Sequence, residues 1–229
     1  MNRTRLVSAA AMLSAALLLG WWWSPLSPVA FDRPAAALAS GDAEGALEGY
    51  LSLAAAPIAE RDEALWQAAL IAEVELERID QAAQLLRSCV DLGGPRAGAA
   101  SARLARLESD PLRAIERWVA AAELDPEHES SGRWLLNAGE AALAADEPQH
   151  AEQILLSATE REDSAVLAWI LLGRAALESD PATAHGRYDA ALSAGAAGIT
   201  AELALSGREA AATLMEDGRT LAELESAEE

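Results

Sequence analysis

Lysine is missing from this chain of 229 residues: all 17 basic side chains are arginine, set against 37 aspartates and glutamates for a net charge of −20. So acidic a chain repels a phosphate backbone instead of releasing its counterions, which argues against nucleic-acid binding. Cysteine is nearly missing too, and Cys89 alone permits no intramolecular disulfide and no Cys-rich zinc or iron–sulfur site. Aromatic residues make up only 4%, while about a quarter of the chain is alanine. Strands draw on aromatic and β-branched residues, so this balance excludes an all-β fold and favours closely packed helices.

The patterns of common catalytic sites are absent as well. There is no Gly-x-x-x-x-Gly-Lys-Ser/Thr loop, no Gly-x-Gly-x-x-Gly run, no Gly-x-Ser-x-Gly elbow and no His-Glu-x-x-His helix. His128, His150 and His185 are isolated, none with a second His or Cys at ligand spacing. Cys89 has Asp91 beside it and no His in its segment, which suits a packed thiol better than an activated one. No catalytic residue, cofactor or metal ligand is assigned, and the chain reads as a non-enzyme.

The amino terminus carries Arg3 and Arg5, followed by an uncharged run from Leu6 to Trp23. Eighteen residues of helix span about 27 Å, close to the hydrocarbon core of a bilayer. Trp21, Trp22 and Trp23 close the run where an interfacial belt would lie, and the preceding positive charge orients the terminus to the cytoplasm. The segment thus reads as a membrane anchor through residues 6–23. The rival is a secretory signal, but the nearest cleavage position, after Ala30, has Pro28 where a small residue is needed. Pro25, Pro28 and Pro34 predict an extended tether over residues 24–34.

The rest of the chain repeats itself. Ala46, Ala82, Ala114, Ala151 and Ala184 open similar phrases at a mean interval of about 34 residues. Four residues on come Tyr50, Leu86, Trp118, Leu155 and Tyr188; seven on come Leu53, Cys89, Ala121, Ala158 and Ala191. These offsets share one face of a helix, and small residues there let a neighbour approach closely. Gly41-Asp42, Ser109-Asp110, Asp146-Glu147 and Ser179-Asp180 precede four of the phrases, and Pro111, Pro148 and Pro181 mark sharp helix starts. A second apolar-periodic segment lies upstream of each later phrase, at Glu63–Leu76, Arg96–Leu107, Ser131–Leu143 and Ala165–Leu177. Trp66, Trp134 and Trp169 stand early in three of these, and the four Trp residues 66, 118, 134 and 169 fall at positions that pack helix on helix.

The set resembles the tetratricopeptide repeat family, whose motif places an aromatic and a Gly in the first helix, then Ala and an aromatic in the second, then Pro. The third repeat matches best, with Ser109-Asp110-Pro111, Ala114, Trp118, Ala121 and Asp125-Pro126. The resemblance implies an all-α, right-handed helical-hairpin solenoid of about four to five repeats over residues 35–199. The first repeat has only a stub, Pro34 to Ser40, for its leading helix, and the fifth is one residue short between Trp169 and Ala184. Residues 200–229 read as one or two capping helices ending in an acidic tail, the kind of cover that a stack of repeats needs.

In that family the leading helices line the inner groove. The resemblance therefore implies a partner-binding surface containing Arg96, Arg103, Arg106, Arg133, Asn137, Glu140 and Arg174. Arginines gathered there would favour an acidic peptide or a carboxylate. The alternative is local balancing, as between Arg106 and Asp110 four residues on. The two-carboxylate clamp of chaperone-binding members is not met, because Val166, Leu167 and Ile170 stand where basic residues are required.

Together these features predict a non-catalytic scaffold or adaptor, held in a bacterial inner membrane by a single span, its repeat domain facing the periplasm and binding partner peptides during envelope assembly or secretion. Release into the periplasm after signal cleavage is the alternative placement. A homo-oligomeric structural scaffold is the second reading of function, and a ligand-binding protein or enzyme with a pocket in the superhelix the third.

Overall fold

A computed structural model of the chain describes the backbone of residues 29–228 and the side chains of residues 30–219. The anchor or signal read over residues 1–23 and the first part of the tether lie outside the described residues. Among the described residues the chain is all-helical, with eleven α-helices and no strand. They are α1 (Val29–Ala39), α2 (Ala43–Ala55), α3 (Arg61–Leu70), α4 (Ile79–Leu92), α5 (Ala97–Leu107), α6 (Pro111–Leu124), α7 (Ser131–Ala144), α8 (Pro148–Thr159), α9 (Ala165–Ala176), α10 (Pro181–Ser193) and α11 (Ile199–Glu228). Leading helices α1, α3, α5, α7 and α9 alternate with second helices α2, α4, α6, α8 and α10. The chain forms two compact units that meet in sequence after Leu85, within α4.

In the first unit, residues 29–33 are helical where the prolines predicted an extended tether. Pro34 lies inside α1, buried, and forfeits one backbone hydrogen bond. Tertiary packing outweighs that loss. A Cβ on Gly49 of α2 would lie 2.8 Å from the Pro34 ring, so the two helices meet at a residue without a side chain. The Phe31 ring sits 5.9 Å from that of Tyr50, which is buried with Ala46, Leu47, Ala68 and Ile71. The Asp42 carboxylate caps α2 by accepting from the Gly45 N–H at 2.9 Å. α3 ends in a π-helical turn, Ile71–Glu75, that periodicity did not foretell, and Glu77 leaves it in the left-handed region at φ 54°.

In the second unit each helix from α5 onward packs on the next. Ala82, Ala151 and Ala184 at the first phrase position, and Cys89, Ala121, Ala158 and Ala191 seven on, are fully enclosed, whereas Ala114 and Leu53 are half-buried. The large residues between them are buried throughout the series. Gly139 and Gly173, 34 residues apart on α7 and α9, receive the large residue of the helix that follows: Gly139 lies against Leu155, and a Cβ on Gly173 would come 2.9 Å from the Tyr188 ring. Gly207 of α11 lies against the other side of that ring. Asp110 and Asp180 cap α6 and α10 by accepting from the N–H groups of Leu112 and Thr183, each at 3.0 Å, with Pro111 and Pro181 in the first turn as the sequence predicts.

Residues 199–228 form one helix rather than two, with Ala204 and Ala211 fully buried.

The single-pass inner-membrane placement is corrected. Among the described residues no helix is long and apolar enough to cross a membrane. Helices α1 to α10 have 10 to 14 residues, about 15–21 Å against a core of about 30 Å. α11 has the length but carries Glu202, Arg208, Glu209, Glu216, Asp217 and Arg219. The periplasmic facing that depended on the span is withdrawn with it.

Two glycines test the packing with opposite signs. Gly173→Ala pushes a methyl into the pinned Tyr188 ring and should destabilise the fold by about 1–3 kcal/mol despite better helix propensity. Gly186→Ala, where nothing lies within 4 Å of the new methyl, should gain about 0.5–1 kcal/mol. Urea unfolding followed by circular dichroism reads both.

Burial raises the pKa of Tyr50, with Glu63 adding to the rise; burial also raises that of Tyr188, which Arg174 partly offsets. A raised folded pKa stabilises below the unfolded value of about 10 and loses that stabilisation as pH climbs through the folded one. These are the only two tyrosines in the chain. Ultraviolet titration of the native protein should therefore show both ionising above the single transition of the urea-unfolded chain, and a native curve superimposing on the unfolded one would refute their burial.

Candidate functional site

The leading helices of the second unit form its inner side. α7 lies against α9, and α9 against α11, while no comparable approach joins α6 with α8 or α8 with α10. Their exposed faces repeat at intervals of 34 residues. Ala99, Arg133 and Leu167 occupy one level, Arg103 and Asn137 the next, and Arg106, Glu140 and Arg174 the third. Arg106, Arg133, Glu140 and Arg174 are exposed, and Arg103 and Asn137 half-buried. The third level holds two arginines with a glutamate between them, and Arg133 stands about two turns above it on α7. Arg96 is set apart from these levels: it is the N-cap residue of α5, outside the helix and half-buried.

Arginines elsewhere in the second unit are engaged in holding helices together. Arg187 of α10 pairs with Glu152 of α8 and donates to the Leu172 carbonyl at 3.1 Å. Arg117 lies 3.5 Å from Glu108, Arg208 of α11 reaches Asp189 at 3.0 Å, and Arg161 donates to the Pro126 carbonyl at 2.7 Å. Arg106 and Arg133 differ, making no hydrogen bond or ion pair among the described residues. The local balance read between Arg106 and Asp110 is not made; Asp110 lies 3.6 Å from Arg113 on its own helix.

The groove also has an apolar part. Leu167 is 43% exposed on α9, and Val166 and Ile170 beside it are half-buried. Sequence reading used these three only to reject a carboxylate clamp. The signal that places Leu167 in the groove is its distance of 34 residues from Arg133.

Other candidate groups are absorbed by structure. Cys89 is fully buried at its packing position. His128 stacks on Trp134 with ring centroids 4.6 Å apart, and its Nδ1 accepts the Ser130 N–H at 3.0 Å, fixing the turn before α7. His185 faces Asp189 of α10 at 3.4 Å. Trp118 and Trp134 are core residues, whereas Trp66 and Trp169 are half-buried. A cleft of about 340 Å³ between α8, α9 and α10 has Arg187 in its wall, already committed to Glu152 and Leu172. Among the described residues no group of His, Cys, Asp and Glu side chains is arranged to hold a metal ion.

No protein-family model and no curated protein sequence matches this chain. A crystal structure of MamA protein aligns with it at a TM-score of 0.50 and 17% identity, over 81% of this chain and 93% of the other. A second crystal structure of MamA gives 0.49 and 17%, over 79% and 96%. An assembly chaperone of RpL4, Acl4 (residues 1–338), aligns at only 0.35 and 13%, over 85% and 98%, too remote for any argument. At these identities the likeness is one of fold: the chain has the helical, tetratricopeptide-like repeat fold of MamA.

Proposed function

We propose that the protein is a non-catalytic interaction scaffold whose inner face, formed by α5, α7 and α9, holds a segment of a protein partner. The observation that carries this is the state of Arg106 and Arg133. In a chain of net charge −20, where other arginines bind carboxylates or carbonyls, these two stand exposed with neither. Guanidinium groups held on helices and left unneutralised favour an acidic partner by short-range charge-assisted hydrogen bonds. Leu167 and Ile170 add an apolar strip that suits an amphipathic segment rather than a purely acidic one. The part of the partner that meets the groove is thus acidic along one side and aliphatic along another.

A fluorescein-labelled peptide of alternating Glu and Leu turns serves as the probe, with anisotropy as the readout. Arg106→Glu/Arg133→Glu should weaken its binding about tenfold or more, each reversed contact contributing about 1 kcal/mol. Arg113→Glu, on the exposed side of the second helix α6, should leave binding unchanged. Equal affinity for all three proteins, each with native helicity, would remove the inner face as the docking surface.

A further inference from the structure

α11 continues well past the last residue it buries. Ala204 and Ala211 face the core and Gly207 receives the Tyr188 ring, but from Ala212 to Arg219 no side chain is buried. The backbone nonetheless stays helical to Glu228. The 17 residues from Ala212 to Glu228 extend about 25 Å beyond their support. A helix of that length with no tertiary packing is marginal in water, so its helicity calls for a partner.

The chemistry of this segment is that of the groove reversed. On the face of α11 turned away from the core, Ile199 is 76% exposed, Leu203 52% and Leu214 41%, a stripe with Ala210 between the last two. The sequence goes on with Leu221 and Leu224 set among Glu223, Glu225 and Glu228, with Arg219 the last basic residue. Acids and leucines at helical spacing are what Arg106, Arg133 and Arg174 beside Leu167 and Ile170 would accept.

We infer that residues 212–228 of one copy dock along the inner face of α5, α7 and α9 in a second copy; this rests on that face being the docking surface proposed above. The donor comes from another molecule because α11 is one uninterrupted helix pinned at Ala204, Gly207 and Ala211. It cannot turn back across its own α9 and α7 without breaking. Donor and acceptor are different surfaces, so the contact is heterologous and propagates into rings or open chains instead of closing as a two-fold dimer.

The test is sedimentation of the full chain over a range of concentrations at about 0.15 M salt, where charges are screened beyond about 8 Å. The expected result is a mass that rises past the dimer. Glu223→Arg/Glu225→Arg/Glu228→Arg and Arg106→Glu/Arg133→Glu should each be monomeric at the same concentrations, and an equimolar mixture of the two should give a 1:1 complex, since only one of the possible contacts is then complementary. Recovery in the mixture also shows that both variants are folded. A wild-type chain monomeric at every concentration, a tail reversal that leaves the mass unchanged, or a mixture that stays monomeric would each overturn the inference. If the Glu-Leu peptide still binds to a monomeric wild type, self-docking falls while the scaffold reading stands; if the peptide fails too, both fall.

Discussion

The architecture of the second unit depends on pairing a large side chain with a missing one. Leu155 and Tyr188 fit because Gly139 and Gly173 have no Cβ to meet them, and Tyr188 has a further glycine, Gly207, on its other side. Alanine does the same service on the second helices, where Ala151, Ala158, Ala184 and Ala191 are wholly enclosed. Close approach of this kind sets the distance between helices, and repeating it at 34-residue intervals sets the spacing of the exposed positions on α5, α7 and α9. The groove is therefore a by-product of packing: its levels align because the glycines and alanines behind them align. Replacing one small residue shifts a helix and with it every inner-face side chain that the helix carries.

This periodic constraint explains why so much of the fold was legible. The phrase of Ala, large residue and small residue reports a face of a helix, and the capping pairs with Pro111, Pro148 and Pro181 report where the second helices begin. All of these depend on local rules that the chain obeys repeat after repeat. Where one tertiary contact overrides a local rule, the sequence misled. Pro34 argues for extended backbone, yet Gly49 opposite it makes room for the ring and Phe31 gains Tyr50 as a neighbour, so residues 29–39 are helical. The π turn after Leu70 and the left-handed Glu77 have no compositional mark at all. Even the short fifth repeat has a local cause: the α7–α8 turn uses an added left-handed residue, Asp146 at φ 60°, that the α9–α10 turn does without.

The groove was legible in part for the same reason. Arg103, Arg106, Arg133, Asn137, Glu140 and Arg174 sit on the exposed face of leading helices because the period put them there, whereas Arg96 misses it by lying one residue before α5. What periodicity does not reveal is which arginines are already used. Arg187 and Arg106 look alike in sequence; one is tied to Glu152 and Leu172 across two helices and the other is unpartnered among the described residues. That distinction depends on neighbours about 35 residues away.

Net charge and local charge then act at different ranges. An acidic partner approaching this chain meets a repulsive field set by 37 acids against 17 bases, which slows encounter. At contact the relevant groups are the few guanidinium groups of the inner face, whose hydrogen-bonded interactions are short-ranged and less exposed to counterions. Salt screens the first effect more completely than the second, because the Debye length of about 8 Å at physiological ionic strength exceeds a hydrogen-bond distance and falls short of the width of the domain. Added salt should therefore speed association while weakening the bound state only modestly, the reverse of the steep loss shown by proteins that attract a partner from afar. A negatively charged scaffold with a few uncommitted arginines is in this way selective by fit, since the long-range field favours no acidic chain over another and only a segment that meets both Arg106 and Leu167 recovers the cost of approach.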